Sequence, residues 1–249
     1  MTMSTFWLPV ATLWQRDLIR FWRERSRVFG FIGAPALFWL VLGSGWGNLG
    51  FFYPGALTLT VMFSAVFSMM SLIEDRREGF LLSMLVSPAP RGAMVLGKVL
   101  GSCTLAWLQA VVFLAFLPLT GYSVSPVVLL ELIAILFAIA FTFTSLGFLL
   151  AWKMDSTQGF HAIVNLLLFP LWMVSGSLFA MDGAHAWMQW LMRVNPLTYA
   201  VAAVRRLLDP SASNIPEFNL SVMVTVICGI VLWLAATLQA ARPAKESGA

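Results

Sequence analysis

EDRREGFLLSMLVSPAPR, residues Glu74–Arg91, is the stretch that decides how this chain is read. It opens with a run of charge, Glu74–Glu78, and lies between two segments apolar enough to be membrane spans. Gly79 follows, then FLLSMLV, in which Ser83 is the only polar residue. Pro88 and Pro90 end any helix there, because proline lacks a backbone donor and pushes its predecessor out of the helical region. Seven residues cannot cross a bilayer, which takes about 20 helical residues. The segment is therefore a short apolar helix held at a membrane surface by charged flanks. Exposed apolar surface of that kind marks a partner site. An interfacial helix in the headgroups, or a loop tucked against its own spans, fits the residue types equally well.

Composition sets the class. Of 249 residues, 60% are hydrophobic and 10% charged, against about 25% charged in a soluble domain. An all-α integral membrane protein follows, as a single transmembrane domain over 1–249. Six spans are expected, at 28–48, 53–73, 99–121, 127–152, 159–179 and 220–240. Each is long enough for roughly 30 Å of hydrocarbon. Cys103 and Cys228 fall in apolar runs and read as buried thiols. No cleavable signal peptide is expected, because the arginines follow the short apolar run Phe6–Ala11 instead of preceding it.

Residues 4–27 alternate aromatic and basic side chains at helical spacing. Arg16, Arg20, Arg23 and Arg27 share one face, and Trp7, Val10, Trp14, Leu18 and Phe21 another. This predicts an amphipathic helix in the plane of the membrane. Five arginines also suit nucleic acid, but the tryptophans favour a lipid interface, so no nucleic-acid partner is expected. With the N-terminus inside, twelve Lys and Arg side chains fall on the cytoplasmic side, including Arg76, Arg77, Arg91, Lys98, Lys153, Arg242 and Lys245. Only Arg193, Arg205 and Arg206 fall outside. That asymmetry puts both termini in the cytoplasm.

The one long outer segment is 180–219. HAWMQWLMRV within it is amphipathic. Asn195-Pro196 then supplies an N-cap and a proline at the first helical position, so a second helix should run over Leu197–Leu208 and stop at Asp209-Pro210. Two short helices dipping into the outer interface are expected.

Glu74–Arg91 resembles the first cytoplasmic loop of the type-two permease family of ATP-binding-cassette exporters. There an acidic-basic cluster, a glycine, a leucine-rich helix and Ser-Pro follow the second span. The resemblance implies that residues 74–91 form a coupling helix docking on a separate ATPase subunit. It assigns that contact to Glu74, Arg77, Glu78, Gly79, Phe80, Leu81, Leu82, Met84 and Leu85. Phe80 departs from the small polar residue common there. Ser175-Gly176-Ser177-Leu178-Phe179 and NPLTYAVAAVRR (Asn195–Arg206) resemble the family's fifth-span end and outer re-entrant segment. The outer gate would then be Ser175, Gly176, Phe179, Asn195, Pro196, Tyr199 and Arg205. Ala180 stands where proline is common.

The resemblance further implies two ATPase copies carrying ATP and magnesium, a second permease copy and no cofactor in this chain. It implies the bacterial inner membrane and a lipophilic or amphipathic cargo: a drug-like molecule, a lipid or a lipid-linked glycan. A secondary transporter would need midplane charges and broken helices in repeated halves, and neither is apparent. A membrane enzyme would need a catalytic constellation. His161 and His185 are too few for a zinc site, and Gly43-Ser44-Gly45 reads as small-residue packing.

Two further features bear on function. GAMVLGK (Gly92–Lys98) matches seven positions of a phosphate-binding loop, but Val99 stands where the magnesium-binding Ser or Thr belongs, and no strand precedes it. Lys98 then marks the cytoplasmic edge of the third span. Glu131 is the one carboxylate clearly within a span, hence a functional candidate. Being just past the start of its helix, it can equally snorkel toward the outer headgroups.

Overall fold

The computed structural model describes residues 3–23, 25–181, 183–212 and 215–241, with side chains from 6 to 20 and from 32 onward. Expectations resting on the side chains of Phe21, Arg23 and Arg27, and on the tail residues Arg242 and Lys245, lie outside what is described. Long apolar runs without strand-like alternation fold as helix, and no strand occurs among the described residues. The order is α1 (Met3–Arg23), α2 (Arg25–Gly45), α3 (Leu49–Ser68), α4 (Met70–Arg77), α5 (Phe80–Val86) and α6 (Arg91–Phe113). Then come α7 (Pro126–Trp152), α8 (Thr157–Trp172), α9 (Ala186–Val194), α10 (Pro196–Leu208) and α11 (Phe218–Ala241).

Polar caps start several of these helices. Asn48 accepts from the Phe51 N–H, Ser125 from Val128 and Ser156 from Gly159, each satisfying a donor that the first turn leaves free. Five described stretches are long and apolar enough to cross a membrane: Leu49–Arg77, Arg91–Thr120, Pro126–Trp152, Thr157–Ser177 and Phe218–Ala241. The first expected span coincides with α2, whose described apolar part, Ile32–Gly45, is shorter than that.

Helix α3 is the axis. Tyr53, Leu57, Val61, Met62, Ala65 and Val66 are buried all round it, against α2, α6, α7, α8 and α10. Where the outer surface is as apolar as the core, helices are held by close packing and by interhelical hydrogen bonds. The ring N–H groups supply several: Trp172 donates to the Gly55 carbonyl at 2.8 Å, Trp39 to Leu49 at 2.8 Å and Trp107 to Ile133 at 2.8 Å. Leu166 and Leu238, on α8 and α11, stay exposed on the outside.

Helix α1 leaves Trp7 and Trp14 exposed, while Val10, Leu13 and Asp17 are buried against α6. Gly97 and Gly101 on α6 make room for them. A Cβ at Gly97 would stand 3.0 Å from the Leu13 Cβ and the Val10 carbonyl oxygen, and one at Gly101 3.0 Å from the Asp17 Cβ. The third span starts earlier than expected, at Arg91, directly after Pro90. Lys98 is therefore two turns inside α6 and wholly buried, not at its edge.

Candidate coupling site and outer helix pair

Gly79 sits at φ +75°, a left-handed conformation in which a Cβ is strained. It lets α4 stop and α5 leave in a new direction. Helix α5 then presents two faces. Leu81 is buried, and Phe80, Met84 and Leu85 are half-buried against the core. Leu82 and Val86 are 66% and 80% exposed, with Ser83 between them. The nine residues assigned by resemblance are thus divided: Leu82 faces outward, and Leu81 and Leu85 turn inward. Val86, outside that assignment, belongs to the exposed strip. Beside the strip, α1, α5 and the start of α6 enclose an open groove of about 500 Å³, walled by Leu8, Leu13, Phe80, Met84, Pro88 and Met94.

Behind α5 lies a buried ion network. The Lys98 ammonium has three donors, and the fold uses them all. They reach Asp17 at 3.0 Å, Asp75 at 2.7 Å and the Ser71 hydroxyl at 3.1 Å. Asp75, itself fully buried, also accepts both terminal nitrogens of Arg16 and, at 3.1 Å, one from Arg20. The other Arg20 nitrogen donates to Glu74 at 2.8 Å, with Glu78 at 3.9 Å. The Arg16 guanidinium lies 3.7 Å over the Phe80 ring, a cation–π contact. Burial pushes the Asp17 carboxyl up from its ordinary value and outweighs the pull of Lys98 in the other direction.

The network ties α1, α4 and α6 to the first residue of α5. It also disposes of the phosphate-loop reading: residues 92–98 are helical, and Lys98 is committed to carboxylates. Arg76 and Arg77 turn the opposite way. Arg76 donates to the carbonyls of Trp152 and Met154 and pairs with Asp155 at 3.0 Å. Arg77 donates to the Asp155 carbonyl at 2.9 Å. The short loop after α7 is thereby braced against α4. The sequence reading gives Asp17 and Asp75 no role and puts Lys98 at the edge of a span. An aspartate flanked by Arg16 and Arg20, another followed by two arginines, and a lysine near a helix start look like surface residues.

At the far end, α8 gives way to a wider, π-type turn, Met173–Ser177, with Gly176 at φ +85°. Asn195 caps α10, accepting from the Leu197 N–H at 3.0 Å, while its amide donates to the Leu171 carbonyl at 2.6 Å. One side chain thus starts α10 and pins it to α8, with Pro196 as first helical residue. The Ser175 hydroxyl donates to the Trp172 carbonyl. Arg205 donates to the Gly176 carbonyl at 3.0 Å and lies 4.3 Å over the Phe51 ring. Tyr199 donates to the Arg193 carbonyl from a half-buried position, and Phe179 is half exposed. The structure therefore joins Ser175, Gly176, Asn195, Pro196 and Arg205 in one packed unit and leaves Tyr199 and Phe179 at its margin. Glu131 is exposed near the start of α7.

Between these ends an aromatic groove of about 430 Å³ runs along α2, α3 and α8. Phe38, Phe63, Phe67 and Phe169 line it, with His161 and Asn165 as polar members. The His161 ring lies 4.5 Å from that of Phe67. A second cavity of about 390 Å³ shares Phe38 and continues to Trp46, Phe52 and Phe179.

The family model described as ABC-2 type transporter matches residues 9–208. A curated protein of Cyanophora paradoxa named "Putative transport permease ycf38" is 30% identical over 166 residues, 66% of this chain. The match spans 57% of that relative's length. This chain belongs to the ABC-2 type transporter family, and its apolar helices make it a multi-pass membrane protein.

Proposed function

We propose that the chain is the permease subunit of an ATP-driven exporter, with α5 as the element that receives the stroke of a separate ATPase. The observation that carries this reading is the contrast within α5. Its inner face is anchored by buried leucine and by Arg16 over Phe80, while Leu82 and Val86 stay uncovered. A helix braced on one side and apolar on the other transmits a push; an untethered loop would absorb it. Burying each exposed residue against a partner would contribute roughly 1.5–3 kcal/mol. Two ATPase copies, holding ATP and magnesium, would dock under two permease copies, each with six spans once α2 is counted. ATP must then favour one arrangement of the two halves and substrate must be held more loosely in it.

The charge asymmetry of the sequence sets the α5 end in the cytoplasm, with α1 at that surface and α9–α10 dipping into the outer one. This suits a bacterial inner membrane. The groove of Phe38, Phe63, Phe67 and Phe169 fits a lipophilic or amphipathic cargo.

The test is docking. Leu82→Asp and Val86→Asp should leave membrane abundance normal, yet abolish capture of the ATPase and transport. Leu81→Asp should instead lower abundance, because Leu81 is buried. Normal capture and transport by the Leu82→Asp, Val86→Asp double variant would remove α5 from the mechanism.

A further inference from the structure

At the outer helix pair a third cavity, of about 270 Å³, lies among Phe51, Ser175, Met192, Thr198, Arg205 and Asp209. Phe51 also lines the outer part of the aromatic groove. Phe51 thus lies between an apolar cavity and a small chamber with a cation in its wall.

That cation is unusual. Arg205 is 8% exposed, and burying a guanidinium without an anion is costly. Every ion pair among the described residues lies at the other end of the molecule, around α1, α4, α6 and Asp155. Arg205 has instead one carbonyl, from Gly176, and the face of Phe51. A guanidinium carries five donors, so most of its fork is not used by the protein's hydrogen bonds. Thr198, another wall residue, has a buried hydroxyl with no partner in the protein. Asp209 shares the wall but is turned to its own loop, accepting from the Ser211 N–H at 3.1 Å and from the Ser211 hydroxyl. Arg206 is spent on the carbonyls of Ile215 and Pro216. Burial also pushes the Arg205 guanidinium down from its ordinary value, and the nearby Tyr122 and Asp209 offset that only in part.

We infer that this chamber is a subsite for the singly charged acidic group of an amphiphile, a carboxylate or phosphodiester, whose apolar part lies in the groove. One free guanidinium fork matches one such group in bidentate geometry. Asp209 on the same wall disfavours a doubly charged phosphate monoester. This deepens the transport reading by giving the cargo an acidic head, and it rests on that reading for the groove's role.

The experiment uses the full chain in an uncharged detergent, equilibrated with equal amounts of oleate and oleyl alcohol and examined by native mass spectrometry. Wild type should retain oleate over the alcohol by about tenfold or more, the scale of a charge-assisted hydrogen bond. Arg205→Gln should abolish that preference while alcohol binding persists. Should Arg205→Gln not fold, Ala202→Leu decides, since it fills the chamber from a buried wall position while keeping the cation; it too should abolish the preference. Thr198→Val should weaken it. Equal retention of oleate and alcohol by wild type, or an unchanged preference in Ala202→Leu, overturns the subsite. Displacement of oleate by millimolar acetate assigns the chamber to a free small anion and overturns the amphiphile. ATPase capture through α5 is scored on the same variants. Capture retained without an oleate preference rejects only the subsite; an oleate preference without capture by wild type rejects only the exporter reading.

Discussion

The two ends of the molecule solve one problem, a buried cation, in opposite ways. At the α5 end Lys98 sits between Asp17 and Asp75, with Arg16 and Arg20 closing the network. At the α10 end Arg205 has a carbonyl and an aromatic ring. The first arrangement is satisfied within the chain, so it suits a rigid mechanical joint. The second leaves donor capacity over, which suits a site that something else completes.

The comparison is broken most severely by removing each cation. Lys98→Met leaves the buried Asp17 with only Arg16 at 3.5 Å and takes one partner from Asp75, and should cost about 3–5 kcal/mol, the usual penalty for breaking a buried ion pair from one side. Arg205→Met strands only a carbonyl and a ring face, and should cost about 1–2 kcal/mol. Thermal unfolding in detergent, with membrane abundance alongside, measures both. Equal losses would mean that Arg205 has an anionic partner in the folded chain. ATP bound by the assembled transporter should change in Lys98→Met only in proportion to the folded fraction, because that lysine reaches no phosphate.

The next effect sharpens the comparison. Each end turns on a glycine at positive φ, Gly79 at +75° and Gly176 at +85°. A Cβ at Gly79 meets nothing within 4 Å, and one at Gly176 meets the Met192 Cε at an ordinary 3.6 Å. Crowding is therefore not the issue, and alanine at either should cost only backbone strain, about 1–2 kcal/mol. The functional readouts should diverge. Gly79→Ala should weaken ATPase capture by re-aiming α5, whereas Gly176→Ala should leave capture unchanged. Loss of capture in both would mean that it tracks stability, not the orientation of α5.

How far each end was legible in the sequence follows from the same physics. The helices are legible because each apolar run is long and ends in Gly, Pro or a capping residue. Asn195-Pro196 announced the start of α10 because cap chemistry is local. The orientation of α5 was not legible: six of its seven residues are apolar, so no polar face shows which way it turns. Packing against α1 and α4 decides it. That Val10, Leu13 and Asp17 of α1 pack on α6 was not legible either, since it depends on Gly97 and Gly101 making room for them. The ion network joins positions 17, 75 and 98, and no spacing rule connects them. The chamber at Arg205 depends on where Phe51 and Gly176 come together, which only the fold supplies.

The smallest predicted effect lies inside the joint and separates the two carboxylates that share Lys98. Asp17→Asn keeps an oxygen to accept from the ammonium, so stability near neutral pH should change little. Acidification is where the two proteins should part. The Asp17 carboxyl is raised in the folded state by burial, against an unfolded value of about 3.9. The folded chain therefore takes up this proton before the unfolded chain does. The contribution is fully present below the unfolded value and is lost as pH rises through the raised one. Arg16 and Asp75, the other charges around Lys98, are present in both proteins and drop out of the difference to first order. Wild type should thus gain stability relative to Asp17→Asn as the pH falls toward about 4, read as the gap between paired melting curves. Parallel curves, or a gap of opposite sign, would mean that the pairing with Lys98 outweighs burial at Asp17. The joint would then be held by two strong ion pairs, where the structure points to one strong pair at Asp75 and one reluctant carboxylate at Asp17.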